Sequence, residues 1–267
     1  MVKLTIITVC YNAESVIEDT IRSILGQTYS NVEFIVIDGG SKDATISIIN
    51  KYYNRISKVL SEPDNGIYDA MNKGIALATG DYINFMNAGD TFYSDNVLVK
   101  VAENTCGIDV LFGDKAIVKD GVIYRDRAKP FYEHLPLHHS MGFNHQCTFV
   151  KTELAKKYPF DQRYKLAADY NMIIELYRHN CTFMQLDLIV ANFDLKGVSN
   201  TNQYLHLYER LMIDCPNKPL INSLKAHCHV YKRKLVCWVR DIIFRVCPYL
   251  INKYRENKKQ FTKISKL

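Results

Sequence analysis

No Cys-x-x-Cys pair occurs in this chain. Its eight cysteines, at 10, 106, 147, 181, 215, 228, 237 and 247, are scattered and show no zinc spacing. At 267 residues that pattern points to reduced thiols rather than a disulfide framework. No G-x-G-x-x-G run follows the first predicted strand, which disfavours a dinucleotide cradle. No basic leader or cleavage site precedes the strand-like run at 2–9, so no secretory signal is expected. Internal repeats, low-complexity tracts and a nucleic-acid reading module are also missing, and nucleic acid is not an expected partner.

What is present suits a folded α/β chain. Hydrophobic residues make up 48% and charged residues 23%, enough to bury a sizeable core in one large domain with an appendage or in two small domains. Eighteen tyrosines fit sugar binding, interfaces and plain packing alike. The net charge of +6 is uneven: residues 225–267 carry twelve Lys/Arg and two Asp/Glu, a net of +10, leaving −4 on the rest. A basic tail on a mildly acidic body points to an anionic membrane surface.

Buried-strand runs are predicted at 3–9, 32–37, 58–60 and 81–86, with helices at 15–27, 44–53 and 67–78. Asp43 is placed to cap the second helix, and Gly80 to close the third. Before that third helix, Pro63-Asp64-Asn65-Gly66 reads as a tight turn with glycine at the left-handed position. This alternation predicts βαβ units and an open, doubly wound, mostly parallel sheet flanked by helices. Past Asp90 the rhythm changes. A helix at 95–103, strands at 110–112, 116–119 and 122–124, a turn at Asp120-Gly121, a His-rich irregular segment at 134–145 and a strand at 147–150 are expected. A helix at 167–179 and a strand at 186–193 follow.

Near the C-terminus, Leu235, Val236, Trp238, Val239, Ile242, Ile243 and Val246 share one helical face, opposite Arg233, Lys234, Arg240, Asp241 and Arg245. The run is too short and too charged to span a bilayer. It suits either a membrane interface or docking on the domain or a second subunit, as in a homodimer.

Three polar strand ends share one sheet edge: 8–12, 38–41 and 87–90. An acid just past a buried parallel strand is where open α/β sheets keep ligands. Without a glycine cradle, a bound diphosphate needs other positive charge, and a divalent metal held by Asp90 would supply it. Asp90 also reads as a helix cap ahead of Asp95-Asn96, and Asp38 as a turn residue.

The order of these pieces resembles the inverting family 2 glycosyltransferases of GT-A fold over roughly residues 3–200, closest to the bacterial surface-polysaccharide branch. The matching text is TVCYN at 8–12, IDGGSKDAT at 37–45, SEPDNGIYDAMNKG at 61–74 and FMNAGD at 85–90. The resemblance implies that Thr8, Tyr11 and Asp38, with Asn12 and Ser41 beside them, hold the nucleoside of a UDP-sugar. Asp64 and Asn72 would border the diphosphate. Asp90 would be the final acid of a D-x-D motif binding Mn²⁺ or Mg²⁺. The first acid of that motif is here Asn87, and Met71 stands where many relatives carry a basic residue.

LAADYNMIIEL at 166–176 resembles the segment bearing the family's catalytic base. Asp169 falls on the base, and Ala168 replaces a Glu. A carboxylate in the first turn of a helix also stabilises its own helix dipole. His145 and Gln146 resemble the acceptor-side loop, with His134, His138 and His139 leading to it.

The resulting expectation is transfer of a sugar from a UDP-sugar, with inversion, to a hydroxyl of a lipid-linked saccharide, by a cytoplasmic protein at the inner face of the membrane. Residues 1–105 would bind the nucleotide-sugar, 106–200 the acceptor, and 201–267 form a helical basic extension that reaches the membrane through 232–267. A nucleotidyltransferase and a non-catalytic sugar-nucleotide-binding protein are the other readings. The former wants a glycine- and basic-rich first loop. The latter is suggested by Asn87 and Ala168.

Overall fold

The structure, a computed structural model, describes residues 1–119, 122–128, 142, 144–193, 202–214, 217, 224–225, 228 and 262–263. The expected turn at Asp120-Gly121, the histidines at 134, 138 and 139 and the amphipathic C-terminal helix lie outside the described residues.

Seven helices and ten strands are seen among these residues, in the order β1 (Leu4–Cys10), α1 (Ile17–Leu25), β2 (Val32–Asp38), α2 (Thr45–Asn50), β3 (Lys58–Ser61), α3 (Ile67–Leu77), β4 (Tyr82–Phe85), β5 (Thr91–Phe92), α4 (Val97–Ala102), β6 (Val110–Lys119), β7 (Val122–Asp126), β8 (Thr148–Lys151), α5 (Thr152–Lys157), α6 (Ala168–Arg178), β9 (Phe183–Phe193), α7 (Gln203–Asp214) and β10 (Thr262–Lys263). The parallel half runs β3-β2-β1-β4. β8 joins β4 antiparallel, β6 joins β8 antiparallel, and β9 lies parallel to β6.

Alternation decides the layers. In β1 and β2, Leu4, Ile6, Phe34 and Val36 face one side, against Ile17, Ile21 and Ile24 of α1 and Val97 and Leu98 of α4. Ile7, Val9, Ile35 and Ile37 face the other, against Met71 and Ile75 of α3 and Ile173 and Leu176 of α6. All of β1 is buried, which explains its mostly apolar run, and its two threonines, Thr5 and Thr8, donate their hydroxyls to Glu33 and the Met86 carbonyl. Gly74 lets α3 approach the sheet, because a Cβ there would lie 2.5 Å from Ile7 Cγ2.

Two local expectations are corrected. Gly80 does not cap α3, whose C-cap is Ala78 in an extended conformation. It is needed instead because a Cβ would come within 2.7 Å of the Lys3 carbonyl as β1 passes. The predicted strands 110–112 and 116–119 are one strand, β6, whose register against β9 shifts around Asp114. At Gly113 a side chain would strike the Leu188 carbonyl at 2.6 Å, so the apparent gap in the strand pattern marks an irregularity rather than a loop.

The expected turn before α3 is present. Gly66 has φ of 114°, and the Asp64 Oδ1 accepts its N–H at 2.8 Å. Asp43 takes the Thr45 N–H at 3.0 Å, which holds the start of α2.

Candidate active site

Parallel register brings Cys10, Asp38 and Ser61 side by side at the ends of β1, β2 and β3. Asp38 is fully buried, and its Oδ2 accepts N–H bonds from Gly40 and Ser41 at 3.0 Å and the Ser61 hydroxyl at 2.7 Å. The Ser41 hydroxyl donates to its other oxygen. Asp38 therefore builds the turn that shapes this edge, as the turn-residue reading requires. Ser41 Oγ also accepts the Asn12 N–H at 2.8 Å, and Asn12 Oδ1 accepts that of Lys42 at 2.9 Å. These bonds hold Asn12 at a left-handed φ of 47°.

Thr8 is buried and donates to the Met86 carbonyl at 2.7 Å, tying β1 to the segment after β4. Tyr11 is 62% exposed. A Cβ on Gly39 would fall on the Asp64 carboxylate and within 3.4 Å of the Tyr11 ring, so Tyr11, Gly39 and Asp64 converge on one small cradle. Asn72 faces elsewhere: its amide pairs both ways with the Phe160 peptide, at 2.8 and 2.9 Å. Met71 is wholly buried beneath α3, which is why no basic residue is accommodated there. Lys73, which the sequence did not single out, contacts Glu62 at 2.8 Å and the Pro63 carbonyl at 3.0 Å, bracing the turn instead.

Across the sheet edge, His145 and Gln146 sit in a 3-10 turn, His145–Cys147, that leads into β8. Asn84 of β4 donates to the Gln146 and Thr148 carbonyls, both at 2.9 Å, and so pins this turn. His145 Nδ1 lies 3.2 Å from Asp169 Oδ2, and Gln146 Nε2 donates to Asp90 Oδ2 at 2.9 Å. Two adjacent residues thus touch the two acids that the sequence singled out from opposite halves of the chain. His145 Nε2 lies 3.2 Å from Asn87 Nδ2.

Asp169 stands in the first turn of α6, with 17% of its side chain exposed. Its Oδ1 accepts the Tyr68 hydroxyl at 3.2 Å and the Tyr170 N–H at 2.8 Å. Burial alone would raise its pKa, but the hydrogen bond and charge of His145 and the nearby Arg210 guanidinium hold it below the usual carboxylate range. Burial and the Asp169 charge push the Tyr68 phenol up, so it stays a donor.

α7, unassigned to the site from sequence, closes this region. The Glu209 carboxylate accepts the N–H groups of Lys165, Leu166 and Ala167 at 2.8–3.0 Å, immediately before α6. Arg210 packs over the Tyr170 ring, 5.2 Å from its centroid. Burial, with the Arg210 charge beside it, lowers the His206 pKa to about 4.

Comparison with known proteins resolves what this site belongs to. The sequence model of Glycosyl transferase family 2 matches residues 5–161. The chain belongs to that family. It is therefore a glycosyltransferase, and it has relatives along most of its length. It is 30% identical over 205 residues to an uncharacterized glycosyltransferase of Mycobacterium tuberculosis, covering 74% of this chain and 77% of that protein. It is 28% identical over 200 residues to a PGL/p-HBAD biosynthesis glycosyltransferase of Mycobacterium bovis, covering 71% and 76%.

Among solved structures, Staphylococcus aureus TarS 1-349 in complex with UDP-GlcNAc matches with a TM-score of 0.65 at 20% identity, covering 79% of this chain and 65% of that one. This glycosyltransferase thus spans just under two thirds of that chain. Glucosyl-3-phosphoglycerate synthase from Mycobacterium tuberculosis, solved with Mn²⁺, UDP and phosphoglyceric acid, matches with a TM-score of 0.59 at 16% identity, covering 80% of this chain and 79% of that one. A mannosyltransferase from Pyrobaculum calidifontis, solved with GDP-Man and Mn²⁺, matches with a TM-score of 0.63 at 18% identity, covering 85% of this chain and 69% of that one. At these identities the likeness is one of fold.

The residues around Asp90 suit a hard divalent cation. Asp90 brings a carboxylate, and the buried amide oxygens Asn87 Oδ1 and Gln146 Oε1 have no hydrogen-bond partner. Among the described residues no group of three His, Cys, Asp or Glu could hold a metal unaided. Oxygens from a bound diphosphate would complete such a shell.

Proposed function

We propose that this family 2 glycosyltransferase transfers a sugar from a UDP-sugar to a hydroxyl of a lipid-linked saccharide, with inversion, in polysaccharide biosynthesis. The observation that carries this reading is the His145-Gln146 pair, which joins Asp169 to Asp90 and so gives both acids one site. The Tyr11–Gly39–Asp64 cradle would receive the nucleoside, with Thr8, Asn12, Asp38 and Ser41 fixing the shape of that edge and Asn72 holding the adjoining segment. In this reading residues 1–105 serve the donor and 106–200 the acceptor.

In the transfer, Asp169 accepts the proton of the acceptor hydroxyl while its oxygen bonds to the anomeric carbon. The bond from that carbon to the diphosphate breaks on the opposite side, and UDP leaves with the electron pair. A depressed pKa keeps Asp169 ionised and ready at neutral pH, although it weakens the group as a base. Tyr68 and His145 direct its two oxygens. Mn²⁺ or Mg²⁺, held by Asp90 with the amide oxygens of Asn87 and Gln146, would neutralise charge on the departing diphosphate.

The UDP-GlcNAc bound by TarS and the UDP bound by glucosyl-3-phosphoglycerate synthase support uridine, whereas the Pyrobaculum enzyme shows that this fold also takes GDP-mannose. A thermal-shift panel of UDP- and GDP-sugars tests the base, since a donor that binds only the folded chain raises its stability. UDP release with Mn²⁺ or Mg²⁺ tests the chemistry. Asp169→Asn should lower turnover by about 10²–10⁴-fold. Equal turnover in wild type and variant removes Asp169 as the base, and a retained anomeric configuration in the product removes inversion.

A further inference from the structure

We propose that Arg210 of α7 binds a phosphate group on the acceptor, beside the hydroxyl that Asp169 deprotonates. This subsite lies within the transferase reading above and depends on Asp169 marking the acceptor side.

An arginine presents its N–H donors in a planar fork that matches the oxygens of a single oxyanion. Inside folded proteins such a group is normally paired, because an unpaired charge kept from water is costly. Arg210 is half-buried, and its Nε is enclosed with no hydrogen-bond partner. Its terminal amino groups make no hydrogen bond or ion pair either among the described residues. What holds the guanidinium is the Tyr170 ring, 5.2 Å from its centroid. A cation held over a ring keeps its N–H donors for other partners.

Position is set by the neighbouring residue. Glu209 accepts the N–H groups of Lys165, Leu166 and Ala167, which clamps α7 against the start of the helix that carries Asp169. The ionisable groups that bear most on Arg210 are Asp169, Tyr170, Tyr68 and Asp214. Asp169 also bears on His206, one turn earlier on α7. The donor-edge acids Asp38, Asp64 and Asp90 are not among these groups, so this face of α7 belongs to the Asp169 side. Charge balance points the same way. A phosphate approaching an ionised Asp169 meets repulsion, and a guanidinium beside both offsets it. A saccharide joined to a lipid through phosphate carries the required group, and so does a soluble sugar phosphate.

Titration calorimetry of the full chain, saturated with UDP and Mg²⁺ so that the donor edge is filled, tests this with glucose 1-phosphate and uncharged methyl glucoside. Glucose 1-phosphate should bind the wild type, and Arg210→Gln should raise its Kd about 10-fold or more. Methyl glucoside should not distinguish the two proteins, and UDP affinity should be unchanged. Arg210→Lys, which keeps the charge and loses the fork, should fall between them. Glucose 1-phosphate that binds wild type and Arg210→Gln equally, or fails to bind the wild type, overturns the proposal. A loss of UDP affinity in Arg210→Gln also overturns it, by moving the residue to the donor. Should Arg210→Gln fail to fold, ¹H–¹⁵N spectra of the wild type decide. The Arg210 Nε signal, assigned with Arg210→Lys, must then move on addition of glucose 1-phosphate, and an unmoved signal overturns the subsite. Farnesyl phosphate that displaces glucose 1-phosphate assigns the group to a lipid carrier. Failure to displace assigns it to a phosphorylated saccharide, and the subsite stands in both cases. Equal turnover in wild type and Asp169→Asn removes the base reading, whereas the dependence of phosphate binding on Arg210 is measured without it.

Discussion

Glu33 and His206 lie outside the reacting groups, yet both tie the stability of this protein to pH. Glu33 is buried, and burial alone would raise its pKa. The Thr79 N–H and hydroxyl, the Thr5 hydroxyl and Lys3 instead hold it at about 2, against an ordinary 4.5. His206 is depressed from 6.5 to about 4 by burial beside Arg210. In both cases the unfolded chain binds protons more readily than the folded one, so stability rises with pH. The contribution of His206 is complete above about pH 6.5 and is lost as pH falls through about 4. That of Glu33 is complete above about pH 4.5 and is lost towards 2. Urea midpoints measured against pH should fall in two stages, and His206→Phe should flatten only the first. A single transition below pH 4.5 in the wild type would contradict this assignment. Neither residue announces itself in the sequence, because each shift comes from neighbours that only the folded chain supplies.

At the scale of elements, α6 is the part that other segments must hold in place. Its approach, Lys165 to Ala167, presents three N–H groups to the single carboxylate of Glu209. These bonds cross 42–44 residues, which is why α7 read as the start of an extension rather than as part of the site. Glu209→Ala removes bonds to a charged acceptor and should cost roughly 2–4 kcal/mol of stability. It should also lower kcat more than donor KM, because Asp169 lies two residues beyond the last bonded N–H. Urea denaturation and steady-state kinetics check both parts, and unchanged kcat in the folded variant would confine Glu209 to stability. α3 shows the opposite case. Its turn and its helical span were legible locally, whereas the Tyr68 contact spans 101 residues and was not.

Over the whole molecule, charge is divided between a mildly acidic body and a basic C-terminus. No helix among the described residues is long and apolar enough to cross a membrane. We propose that residues 232–267 bind an anionic bilayer from the cytoplasmic side, placing the acceptor edge near lipid-linked substrate. Chain lacking 232–267 should keep donor binding by thermal shift and lose sedimentation with anionic liposomes. Unchanged sedimentation would remove the membrane role and favour docking on the body or on a second copy.

The amino-acid order by itself determined the strands and helices of the first ninety residues, the polar strand ends, and Asp90 and Asp169 as the acids to watch. Apolar periodicity records, residue by residue, which side of an element is buried, so it survives in one dimension. Tertiary structure alone decided that His145 and Gln146 connect those acids and that Tyr68 and Glu209 serve Asp169. It also turned the Asn72 amide to Phe160. Buried polar groups must find partners wherever the fold brings them, and those partners lie tens of residues away with no local period to mark them.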